Sequence, residues 1–181
     1  MMDRITTIES KITNILNTID GTTQPNGYKF YTNTGTIQVY DETLSNARNT
    51  TTPGETGIGV NYQYELQDST GIEGMDWSTG QKAQTSRMIM VIKAKVHNVG
   101  DGTKHPKNEI RVAMNECLSD IQYAFWNNYT LSGQVQSISF MNSFRTYDDI
   151  SNNRIQSGTL TSLWSITFQQ DFSNPDIPAC W

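Results

Sequence analysis

Histidine and cysteine are nearly missing from this 181-residue chain, which holds two of each. His97 and His105 are separated by seven residues, a spacing that no common metal-ligand pattern uses. They read as a solvated strand end and a helix-start residue. Cys117 and Cys180 lie 63 positions apart (180 minus 117), so the sequence defines neither a disulfide framework nor a zinc site. Positive charge is also short: 13 Lys and Arg stand against 18 Asp and Glu, for a net charge of -5 with no basic cluster. That balance excludes a surface that grips nucleic acid by neutralising phosphates. Long apolar runs are absent too. No stretch approaches the ~18 consecutive apolar residues of a membrane span, and Asp3, Arg4, Glu9 and Lys11 interrupt the first twenty residues where a signal peptide would be continuous. The expectation is synthesis in a reducing cytosol, where the sequons at Asn49-Thr50-Thr51 and Asn128-Tyr129-Thr130 carry no glycan.

What is present is polar and aromatic. Thr, Asn, Gln and Ser dominate over the 17% charged residues, which favours extended strands with wet faces and many turns. Four Trp and eight Tyr are too many for a disordered chain. The length suits one hydrophobic core. One α+β domain over residues 1–181 is expected, with a flexible tail from about residue 173.

Ile5, Ile8, Ile12, Ile15, Leu16 and Ile19 recur at spacings of three and four, the stripe of an amphipathic helix. Thr6-Thr7-Ile8-Glu9 fits its capping box and Gly21 its stop. Tyr28 to Tyr31 and Thr36 to Glu42 read as a hairpin turning at Asn33 and Gly35. Thr43 to Gly57 and Gln67 to Thr85 read as long polar loops. Between them, Ile58, Val60, Tyr62, Tyr64 and Leu66 alternate as a strand. The stretch from Arg87 to Val99 begins apolar on both faces, as a central strand would. Pro106 suits the first position of a second helix, whose apolar stripe is Ile110, Ala113, Met114, Cys117, Leu118, Ile121 and Phe125. Asn127-Asn128 is expected to end it in the left-handed region. Two more strands follow, one through Val135, Ile138 and Phe140, the other with Trp164, Ile166, Phe168 and Phe172 on one face. The fold class expected is α+β, an antiparallel sheet of four or more strands with two helices packed on one face.

Candidate chemistry is scarce. Cys117 sits inside the packing stripe beside Glu116 and Asp120, so it reads as a small hydrophobe and not a nucleophile. Asp41-Glu42 and Asp148-Asp149 are adjacent carboxylates that a strand would point to opposite faces. Tyr28, Phe30, Tyr31, Tyr40, Tyr62 and Tyr64 resemble a stacking platform, but they lack the basic neighbours that track phosphates. No Walker-type loop, G-x-S-x-G, H-E-x-x-H or dinucleotide fingerprint occurs. No enzyme activity, cofactor or metal is expected.

The order of these parts resembles the tail-terminator (tail-completion) proteins of tailed bacteriophages. The resemblance runs through the first helix, YKFY and TIQVYDE, RMIMVIKAKV, EIRVAMNECLSDIQYAF, the following L-x-G-x-V and LWSITFQQDF. It covers most of the chain as element order and hydrophobic pattern, without a signature motif. It implies a virion structural protein, a hexameric homo-oligomer ring that caps the tail tube and joins it to a head-side connector or neck protein. Genomic DNA would pass through the lumen without specific binding, and no membrane is involved. Synthesis would be in the host cytoplasm and the final place the tail or neck. The candidate assembly interface is Asn46, Asn49 and Pro53 in the first loop, Tyr62 and Tyr64, Trp77 in the second loop, Tyr123 and Trp126 on the second helix, and Trp181. Another neck component, a tail-tube protein, and an unrelated binding module or enzyme are the alternatives.

Overall fold

In the computed structural model the backbone is described for residues 4–32, 38–39, 57–65, 83–97, 106–147 and 157–171, and side chains for 5–32, 87–96, 108–147 and 157–168. The chain folds as α1 (Arg4–Leu16), β1 (Gln38–Val39), β2 (Gly57–Glu65), β3 (Ala83–His97), α2 (Pro106–Trp126), β4 (Ser137–Tyr147) and β5 (Ser157–Asp171).

The core is built on three antiparallel strands. β5 lies between β3 and β4, with Met90 opposite Trp164 on one side and Phe140 opposite Trp164 on the other. Period-two alternation then sorts the side chains. Met88, Met90, Ile92, Ala94 and Val96 of β3 share one face with Leu160, Trp164, Ile166 and Phe168 of β5, and all are buried. On the far side of β3, β2 pairs antiparallel and the two residues of β1 then join it in parallel.

This corrects the expectation of an antiparallel sheet: β3, β5 and β4 carry the described core, β2 extends them antiparallel, and the outermost pairing, β1 on β2, is parallel, so the sheet is mixed. The reason lies in Tyr28 to Thr32. These residues do not form the first strand of a hairpin turning at Asn33 and Gly35. A tighter turn at Pro25-Asn26-Gly27 comes first, closed by Gly27 N donating to Gln24 O (2.9 Å) and Gln24 N to Tyr28 O (2.7 Å). Pro at the second turn position and a glycine with φ of 88° after it are what such a turn requires. The segment beyond is tethered to α2 instead of the sheet.

Because β3 and β4 both run against β5, they are parallel to each other, and such strands need a long crossover. α2 is that crossover. Its 21 residues span about 31 Å, enough to cross the sheet. Ile110, Met114, Cys117, Ile121, Ala124 and Phe125 are buried against the strands, and α1 packs chiefly on α2 through Ile8, Ile12 and Leu16. The first turns of α2 lie so close to β5 that a Cβ on Gly158 would stand 2.7 Å from Ile110 Cγ2. Only glycine permits that approach.

Two helix ends differ from expectation. α1 already begins at Arg4, so Thr6 lies within it and does not cap it. At the end of α2 the asparagines stay out of the left-handed region and use their side chains: Asn127 Nδ2 donates to Tyr123 O (3.3 Å) and Asn128 Nδ2 to Ala124 O (2.9 Å). The Ala124 carbonyl of the last turn is thereby occupied, and Tyr123 O takes the side-chain bond in addition to the Asn127 amide at 3.2 Å. The left-handed residues come later, at Leu131, Ser132 and Gly133. Leu131 is almost wholly buried, and the core holds its side chain in place against the backbone cost of a φ of 48°. The reversal aims the chain into β4.

Candidate functional site

Asp120 is not part of the apolar stripe that the sequence defines on α2. It is fully buried. One carboxylate oxygen accepts from Tyr31 N (3.0 Å) and Thr32 N (2.7 Å), the other from the Tyr28 hydroxyl (2.9 Å). Three donors thus meet one carboxylate, which is how a buried charge is tolerated. Tyr28 also stacks on Tyr123 at 3.7 Å between centroids, 9° from parallel, and Phe30 meets Tyr123 edge-on at 5.8 Å. Burial, followed by the bond to Asp120, holds the Tyr28 hydroxyl well above the usual phenol range. The cluster fastens residues 28–32 to α2, and it occupies Tyr28 and Phe30, two of the six rings that resemble a stacking platform in the sequence.

Cys117 lies one turn before Asp120 and is fully buried. Burial first, and the nearby Asp120 charge second, push its thiol up to about 12, against a small opposing effect from a hydrogen bond with Thr32. It stays a thiol at neutral pH and cannot serve as a nucleophile. Alkylation of the native protein at pH 8 should therefore be on the order of a thousandfold slower at Cys117 than at a free cysteine. Peptide mapping by mass spectrometry would detect this, with full reaction restored in urea. Since the folded thiol ionises above the unfolded one, its contribution is fully present below about pH 9 and is lost as the pH rises towards 12.

An aromatic groove of about 660 Å³ lies between the end of α2 and the sheet, lined by Gln122, Phe125, Trp126, Tyr129, Ile138, Phe140 and Trp164. Its floor is an aromatic row: Trp164 meets Phe125 at 4.9 Å and Phe140 at 5.3 Å, both edge-on. The Trp164 indole donates to Ser162 Oγ (2.9 Å), so this buried nitrogen has its partner. Its rim is open to solvent, with Trp126 80% and Tyr129 60% exposed.

A second apolar surface lies along β4. Among the described residues β4 is the last strand on its side of the sheet. Met141 is a bulge residue, since Phe140 pairs with Trp164 and Asn142 with Leu163. The bulge changes the phase, so Phe144 opposes Thr161 and turns away from the helices. Met141 and Phe144 are about half exposed. On the same open face Arg87 donates to Ser165 Oγ (2.8 Å) and reaches Met141 Sδ (3.8 Å). On the helix face Arg145 donates to Asn115 Oδ1 (2.7 Å).

Of the residues singled out from the sequence, Asn46, Asn49, Pro53, Trp77 and Trp181 lie outside the described residues, as do the tail and the expected loops up to their last residues, where Gly57 belongs to β2 and Ala83 to Thr85 belong to β3. Tyr62 and Tyr64 stand on β2 in register with Met90 and Met88. Tyr123 and Trp126 do not make one aromatic edge: Tyr123 turns to Tyr28, and Trp126 to the groove. Sequence reasoning missed Asp120 as a buried group, although Ala113, Cys117, Asp120 and Ala124 recur at spacings of four, three and four. Among the described residues no three acidic, histidine or cysteine side chains cluster to hold a metal, and no helix is long and apolar enough to cross a membrane. No model of a known protein family matches the chain, and no curated protein matches it either.

Proposed function

We propose that this chain is a virion assembly protein of the tail-terminator kind, which closes into a ring on the end of a tail tube and presents a surface to a neck or connector protein. The observation that supports this most directly is the β4 edge. Among the described residues the eleven-residue β4 is the outermost strand on its side of the sheet, beside exposed Phe140, Met141 and Phe144. An apolar edge strand is a template for a neighbouring chain. The Met141 bulge divides that edge into two short runs, which opposes open-ended strand addition and favours a single defined contact. Head-to-tail contacts of this type close into rings when the rotation permits. The order of elements and the acidic composition are compatible with a lumen that lets DNA pass.

Negative-stain microscopy of the purified chain, alone and with tail-tube protein, tests the reading. Closed rings, free or only on tube ends, are the expected result, and Phe144→Glu should abolish them while leaving the circular dichroism spectrum unchanged. Long filaments would instead mark a tube protein.

A further inference from the structure

We propose that the aromatic groove beside Trp126 is the dock for this chain's own residues 174–181, NPDIPACW, bound in polyproline form. Five of the seven groove residues are aromatic. Such grooves hold P-x-x-P segments because flat rings pack against pyrrolidines, and because the extended helix is already formed and loses little entropy on binding. The chain contains five prolines, and only Pro175 and Pro178 stand at that spacing. Ile177 between them and Trp181 after them add apolar side chains for an apolar floor. The segment lies outside the described residues; the lining of the groove, the spacing of the two prolines and the length of chain after β5 assign it to this site.

Reach is sufficient and points to the same molecule. β5 supplies Trp164 to the groove floor and ends at Asp171, seven residues or roughly 23 Å further on. Another seven residues lead from Asp171 to Pro178. Returning along the sheet at roughly 3.1 Å per residue, they bring Pro178 back to the level of Trp164, with three residues left for Trp181 to enter the groove. Attachment to the same chain places the segment at millimolar effective concentration, so a weak intrinsic affinity is enough. Docking would cover the exposed Trp126 indole. The proposal concerns the single chain and stands or falls independently of the ring.

Indole N–H signals in NMR spectra of the full chain provide the test. Pro175→Ala together with Pro178→Ala should shift the Trp126 and Trp164 signals by releasing the segment, with the dispersion of a folded protein retained. A synthetic NPDIPACW peptide carrying Cys180→Ser should then bind the doubly substituted chain saturably, and the unaltered chain about tenfold more weakly. Trp126→Ala, a change at a rim position, should weaken the peptide about tenfold. Equal binding to both chains, or no movement of the two indole signals, would overturn the proposal. Peptide-sensitive dimers of the unaltered chain would overturn it as well, since the segment would then dock on a second copy.

Discussion

Asp120→Ala is expected to destabilise the fold by about 3–5 kcal/mol, measured by urea denaturation at neutral pH. The substitution leaves the Tyr31 and Thr32 amides without the acceptor they share and frees the Tyr28 hydroxyl. An unsatisfied buried donor costs about 1–3 kcal/mol, and bonds to a charged group are at the strong end. Asp120→Asn separates charge from geometry. Both backbone amides donate to one oxygen and the phenol to the other, so an asparagine can set its carbonyl at the first position and its amide at the second, with the Tyr28 hydroxyl turning to accept. A cost of only about 1 kcal/mol is therefore expected for that variant. If Asp120→Ala and Asp120→Asn were equally harmful, the charge itself would be the important quantity. If both were mild, residues 28–32 would not depend on α2 for their position.

The same cluster shows where a sequence can be read and where it cannot. The apolar stripes of α1 and α2 were legible because a period near 3.6 is a local property, and Ile8, Ile12, Met114 and Ile121 are buried as that period requires. The alternation of Trp164, Ile166 and Phe168 was legible for the same reason, with a period of two. Strand order was not, because Met90 meets Trp164 across 74 positions (164 minus 90), and no local pattern records a partner so distant. Tyr28 to Tyr31 alternates like a strand, but a buried carboxylate 88 to 92 residues away captures it. Tertiary context overrides local propensity there. The Pro25-Asn26-Gly27 turn was available from the sequence as a turn signal, whereas the turn expected at Asn33 and Gly35 lies outside the described residues.

The groove was illegible for a related reason. Its residues come from α2, the reversal after it, β4 and β5, and each serves a local pattern of its own. Phe140 and Trp164 read as ordinary inward positions of two strands. Only the packing shows that Phe140 opens to solvent at the end of the aromatic row while Trp164 is closed beneath it.

Trp164→Ala is expected to lose about 3–5 kcal/mol, the range for truncating a large buried aromatic. Trp164 is nearly buried, touches Phe125 and Phe140 edge-on, and joins the groove floor to the core beneath. Its removal takes away two ring contacts, each adding about 0.5–1.5 kcal/mol beyond area burial. It also leaves a void that the neighbouring strands, paired along their length, are poorly able to close. Trp164→Phe keeps a ring in the row and gives up the indole bond to Ser162, whose hydroxyl is also placed to donate to Ile92 O at 3.4 Å, so more than half of the loss should be recovered. The contrast with Trp126 tests the division between floor and rim. At 80% exposure, Trp126→Ala should cost no more than about 1 kcal/mol in thermal or urea unfolding. If Trp126→Ala destabilised as much as Trp164→Ala, the rim would be part of the core and the groove would be closed in the free protein. If neither did, the aromatic row would not be packed as Phe125, Trp164 and Phe140 are here.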